Sequence, residues 1–214
     1  MSDAPDWQRT VTGPGGAPVG GAPGLVTPAD YGFAGWTMPH YAAWQSSNFT
    51  SAAVYCALVK WASSQTISEI GFECSGLPTT LDAGANYVGI YGPASLTGGW
   101  STTVNLLAAS ASGAADTAAW ARPVTYIPLS SPLAVVAGTF AYIAVLFHYG
   151  ASPAKPPSLA SAQLESLDQV SVAADPLFVT SFNTGLNGYA ALPASITPAS
   201  GPRSNKLMTY AWAR

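Results

Sequence analysis

Beyond residue 49 the apolar positions recur with a period of two, and that period predicts β-strands. The clearest stretch is Ile67-Ser68-Glu69-Ile70-Gly71-Phe72-Glu73-Cys74. Ile70, Phe72 and Cys74 share one face there, with Glu69 and Glu73 on the other, as in a half-buried strand. Ala53–Trp61 precedes it, rich in β-branched and aromatic residues, and Ser63–Thr66 is a polar turn between the two. If the two strands pair with Leu58 opposite Phe72, antiparallel register sets Cys56 opposite Cys74 on the same face. Further strands are expected at Asn86–Tyr91, stopping at Gly92-Pro93, then at Thr102–Leu107 and Val124–Leu129. Ala134–Thr139 runs into Phe140–Phe147, which is apolar on both faces and should be a central strand covered on both sides. Val170–Val172, Phe178–Phe182 and Lys206–Trp212 complete the series. Ala108–Ala119 is Ala-rich but lacks a charged face, and reads as a loop. Short strands between turn signals predict an all-β fold, an antiparallel, jelly-roll-like β-sandwich.

The N-terminal segment breaks this pattern. Gly13–Gly24 carries Pro14, Pro18 and Pro23 among six glycines, a density that supports neither helix nor strand alternation. Residues 1–45 are read as an extended docking arm and residues 46–214 as the sandwich domain. Trp7, Arg9 and Trp36 are the candidate partner-docking residues of the arm, because Trp and Arg are the usual interface anchors.

Composition sharpens the functional reading. Only 8% of the 214 residues are charged, against roughly 25% in an ordinary globular domain. Ala, Ser, Thr, Gly, Pro and aromatics take their place. Charge protects a free surface from self-association, so an exterior this poor in it predicts a subunit covered by other subunits. Net charge is -3, without the basic stripe that tracks a phosphate backbone, so no nucleic-acid partner is expected. Leu133–Phe147 is broken by Gly138 and too short to span a bilayer, so no membrane insertion is expected. Met1–Asp6 lacks the basic and apolar regions of a secretory signal.

Candidate chemistry is sparse. Cys56 and Cys74 are the two cysteines, expected as free thiols that pack as small hydrophobes. His40 and His148 stand in no ligand-like spacing, so no metal and no cofactor is expected. No Gly-x-Ser-x-Gly elbow occurs. Glu69 and Glu73 are four residues apart on one strand, roughly 13 Å, wider than either glycosidase geometry. They read as a solvated face, and no catalytic residue is assigned. Asp82-Ala83-Gly84-Ala85-Asn86 lacks the clustered acids of a calcium loop and reads as a turn. Aromatic residues are abundant, and ring faces suit both sugars and protein interfaces. Trp36, Trp44, Trp61, Trp212, Tyr31, Tyr41, Tyr91 and Tyr149 belong to that pool. Trp100 and Trp120, in loop-like surroundings, are the candidates for glycan stacking.

Tyr55–Trp61, Thr66–Phe72, Ala83–Tyr91 and Ser131–Leu146 follow one another in an order that resembles a known family. It is the β-sandwich module of minor tail and fibre-like virion proteins from phages of high-GC Gram-positive hosts. The likeness covers roughly residues 50–182, and Pro5-Asp6-Trp7-Gln8-Arg9 is similar to the start of some such proteins. Gly92-Pro93 departs from it, since the family more often has an Asp-containing turn there. The resemblance implies a non-enzymatic virion structural protein of the tail, fibre or head decoration, assembled in the host cytoplasm. Its partners would be other virion proteins and further copies of itself, as a trimer or larger ring. The alternative is a carbohydrate-binding module that recognises a host-surface glycan.

Overall fold

The structure, a computed structural model, describes residues 27–37, 45–47, 49–94, 103–121, 123–151, 153–162, 181–183, 188–198, 208–209 and 211–214. Among the described residues thirteen strands follow in chain order. They are β1 (Gly35–Trp36), β2 (Gln45–Ser47), β3 (Val54–Trp61), β4 (Gln65–Gly76), β5 (Tyr87–Ala94), β6 (Val104–Ala109) and β7 (Val124–Val135). After these come β8 (Phe140–Leu146), β9 (Ser158–Ala162), β10 (Ser181–Asn183), β11 (Ser195–Ile196), β12 (Met208–Thr209) and β13 (Ala211–Ala213). Every pairing is antiparallel, and the fold is all-β as its alternation predicts.

The sheet runs β11-β6-β5-β8-β3-β1-β13-β4-β9-β12, with β7 on the other edge of β4. It curls until its ends meet: Ser110, just past β6, bridges Leu129 in β7. A ring of β7, β4, β13, β1, β3, β8, β5 and β6 results, flattened into two layers. Closing a sheet on itself removes the open edges that would template pairing with other chains. Ile70 and Phe72 of β4 and Ile127 of β7 face Val59 of β3, Ile90 of β5 and Ile143 and Val145 of β8 across the interior. The void between Phe72, Ile143, Val145 and Ala211 holds about 10 Å³, the scale of one water molecule. This packed core has no room for a ligand there.

β8 is the central strand expected from its unbroken apolar run. It lies between β3 and β5, and Ala141 through Leu146 are all buried. Ala141, Ile143 and Val145 point into the main core. Tyr142, Ala144 and Leu146 point outward under a second cluster with Cys56, Tyr91, Leu192 and Ile196. Residues 188–198 supply that cover. Gly89 leaves room for Leu192, whose Cδ1 would lie 2.5 Å from a Cβ there. Tyr91 Oη donates to Pro193 O at 2.8 Å, and the His148 ring bonds to Tyr189 O. Burial pushes the Cys56 thiol far above its ordinary range, and burial, then the nearby Cys56, pushes the Tyr142 phenol up to about 12. Neither group is a ready nucleophile at neutral pH.

The expected hairpin of β3 with β4 does not form. β1 and β13 stand between them: Trp36 registers with Lys60 on one side and with Trp212 on the other, and Trp212 with Gly71. Cys56 is opposite Ala144 and Phe182, and Cys74 is opposite Leu159. The cysteines therefore never face each other, and both are free thiols. The turn after Trp61 carries the chain from one layer to the other. It meets the turn between β7 and β8 where Ala137 N donates to Ser64 Oγ at 2.9 Å, and Gly138 N to Trp61 O at 2.8 Å and Trp61 N to Thr139 O at 3.0 Å end the β3–β8 ladder beside it.

Four expected boundaries also shift. The Val124–Leu129 strand runs on to Val135, and a turn over 136–139 separates it from β8, so Ala134–Thr139 does not run into Phe140 as strand. β5 continues through Gly92-Pro93 to Ala94, and Gly92 registers with Asn105 of β6. Ala108 and Ala109 complete β6, followed by turns and a 3-10 helix over Thr117–Trp120. Residues 27–37 belong to the domain and not to a free arm: a 3-10 turn at Pro28–Tyr31 leads into β1, which is part of the wall. Trp44, Val170–Val172 and most of Phe178–Phe182 lie outside the described residues.

Candidate interaction surface

β4 determines which residues reach the outside of the wall. Ile70 and Phe72 point inward and are fully buried, so Gly71 between them points outward. Its cross-strand neighbours share that direction. Trp212 of β13 and Tyr126 of β7 register with Gly71, and Trp36 of β1 registers with Trp212. A row of Trp36, Trp212, Gly71 and Tyr126 thus crosses four strands on the outer face. Gly71 allows this, because the Trp212 indole lies over it where a Cβ would overlap the ring.

Residues entering β1 extend the row. Thr27 N and Oγ1 donate to Asp30 Oδ2 at 2.7 and 2.8 Å and fix the turn before the strand. Phe33 stacks on Trp212 with centroids 5.3 Å apart and planes at 24°. Tyr31 stacks on Phe33 at 5.8 Å and 13°, and tilts against Trp36 at 6.0 Å. Tyr126 meets Trp212 edge-on at 5.9 Å. Beyond it the Arg214 guanidinium lies 3.6 Å over the Tyr126 ring, and Arg214 Nε donates to Glu69 Oε2 at 2.9 Å. Each aromatic pair contributes about 0.5–1.5 kcal/mol beyond area burial. The ion pair is half exposed and screened, so it fixes geometry more than it adds stability. Trp212 is buried beneath this layer, whereas Tyr31 is 56% exposed. Phe33, Trp36 and Tyr126 lie between these extremes.

The row sets aromatic rings side by side on the outer face, with a forked cation at one end. Its integrity depends on Gly71. G71A is expected to expel the Trp212 indole and cost about 1–3 kcal/mol. Near-ultraviolet circular dichroism and the urea midpoint report the two effects; an unchanged aromatic spectrum would contradict the placement of the indole.

Of the residues singled out in the sequence, Trp36 falls in the row, as a strand residue of the wall. Trp7, Arg9 and Trp100 lie outside the described residues. Trp120 is corrected: it is fully buried, its Nε1 donates to Ala115 O at 2.8 Å, and it has no exposed face to offer a sugar. Trp61 and Tyr91 are likewise core residues. Phe33, Tyr126 and Arg214 were not anticipated, and the one local clue was a glycine on the outward side of a strand. Glu69 pairs with Arg214, in keeping with a solvated face.

The Asp82–Asn86 segment is a turn, as its composition predicts, with Gly84 in the left-handed region at φ 74°. Asn86 is its buried hub. Its Nδ2 donates to Asp82 O and to Asp116 Oδ1, both at 2.7 Å, and its Oδ1 accepts from His148 N at 2.8 Å. Asp116 Oδ2 accepts from Gly84 N at 2.9 Å. Among the described residues no three His, Cys, Asp or Glu side chains gather to hold a metal ion, and no described helix is long and apolar enough to cross a membrane. No family model matches the chain, and no curated protein matches it.

Proposed function

We propose that the protein is a non-enzymatic structural component of a phage virion, of the minor-tail, fibre or head-decoration kind, that joins its assembly through its N-terminal segment and presents the β-domain. The observation that carries this reading is the exterior: a chain with 8% charged residues that leaves Val136 62%, Leu77 58% and Tyr31 56% exposed. Such a surface is covered in an assembly more readily than it is kept dispersed. The resemblance of residues 50–182 to virion β-modules supports the same reading. The mechanism is passive: an extended segment orders once, on assembly, and wraps its neighbour.

Sedimentation of the full chain over a wide concentration range tests it, together with antibody labelling of phage particles. A trimer or larger ring and decorated particles are expected. A single copy at every concentration, with no labelled particle, would overturn the reading. Deletion of residues 1–26 should lower the assembled mass; an unchanged mass would remove the docking role of the segment.

A further inference from the structure

We propose that the outer aromatic row is the seat for residues 1–26 of a neighbouring copy, with Trp7 as the anchor. The inference rests on the assembly reading above and names the surface that receives the segment.

Three observations carry it. The first is where the segment ends. It meets the described domain at Thr27, four residues before Tyr31, so each copy emits its segment at the margin of its own row. Donor and acceptor then sit side by side on one chain. A contact of that kind is head-to-tail, and it closes into a ring when the rotation permits.

The second is length and composition. Gly13–Gly24 separates Trp7 from the domain, and these twelve residues alone span up to about 40 Å when extended. That is on the order of the width of a folded domain this size, enough to reach a neighbour. Pro14, Pro18 and Pro23 favour extended backbone at their own positions, against the greater freedom of the six glycines around them. Proline-bearing extended segments dock on aromatic surfaces.

The third is chemical complementarity. The row ends in cations: Lys60 is in register with Trp36 at one end, and Arg214 covers Tyr126 at the other. Arg214 uses only Nε toward Glu69, so its terminal nitrogens carry no other bond among the described residues. Asp3 and Asp6 lie just before Trp7. They bring carboxylates to those cations while the indole stacks on the exposed Tyr31 ring.

Photo-cross-linking of the full chain tests the assignment. Benzoylphenylalanine replaces Trp7, and copies labelled with 14N and 15N are mixed before irradiation. Heavy-to-light adducts at Tyr31, Phe33, Trp36 or Tyr126 are expected. Adducts confined to single copies, adducts elsewhere on the domain, or none would overturn the proposal. W7A and Y31A, by sedimentation, should each weaken association at least tenfold, and together no more than either alone. The thermal midpoint of Y31A should fall by only about 2–10 °C, the loss of its two ring contacts, and the domain should stay folded at the temperature of the assay. If deleting residues 1–26 dissociates the assembly and neither substitution does, the seat is wrong and the assembly reading stands. If the deletion changes nothing, the seat and the docking role of the segment both fall, and the assembly reading is left to the sedimentation and labelling results. A glycan-array signal lost in Y31A without a change in assembled mass would assign the row to a sugar and overturn the proposal.

Discussion

W120A is expected to destabilise the domain by about 3–5 kcal/mol, the range for removing a buried aromatic side chain. Trp120 sits between the layers, with ring centroids 5.5 Å from both Phe72 and Phe147. Its indole also satisfies Ala115 O. Truncation therefore opens a cavity between Phe72 and Phe147 and orphans a carbonyl. For a domain of this length the thermal midpoint should fall by about 10 °C or more. W120F narrows the loss, because it keeps ring contact with Phe72 and Phe147 and gives up the hydrogen bond and the volume of the second ring. It should retain more than half of the lost stability. A W120A protein that melted with the parent would contradict the burial of this residue.

N86D is expected to cost about 3 kcal/mol or more at neutral pH, by burying a charge beside Asp116 and leaving Asp82 O and Asp116 Oδ1 without the donor they had. The wild-type amide gives protons to Asp82 O and Asp116 Oδ1 and receives one from His148 N. An aspartate keeps only the acceptor role and sets a second carboxylate against Asp116. The pH dependence has a definite sign. Burial and the adjacent carboxylate raise the folded-state pKa of the new carboxyl above its unfolded value, so the folded variant holds a proton that the unfolded chain has released. Its stability should rise as pH falls from neutral toward about 4, the ordinary aspartate range. The parent, titrated alongside in urea, supplies the baseline. A deficit independent of pH would mean that the new side chain has turned out to solvent.

These two sites mark what local sequence reveals. The period of two over Ile67–Cys74 and the unbroken apolar run of Phe140–Phe147 carry the β class and the central strand, because burial on one or both faces is written into alternation. Pairing partners are not. β3 and β4 satisfy their alternation equally well as a hairpin or as an arch between layers, and the deciding element, β1, is two residues long and has no period to detect. Trp120 looks exposed because its neighbours are small and polar, yet the 3-10 turn of Thr117–Trp120 drives it inward. For the candidate surface, Trp36, Tyr31 and Trp212 stand out as aromatics. Their adjacency arises from residues 176 positions apart, Trp36 and Trp212, meeting in register, which no local window contains.

That meeting also governs how the protein is made. β13 fills the gap between β1 and β4, so the wall stays open until residue 213 has left the ribosomal exit tunnel. At about 5–20 residues per second, the nascent chain carries unpaired strands for roughly 10–40 s. Copies emerging from neighbouring ribosomes are then at their most prone to pair with one another, and the arrival of β13 decides whether each closes alone.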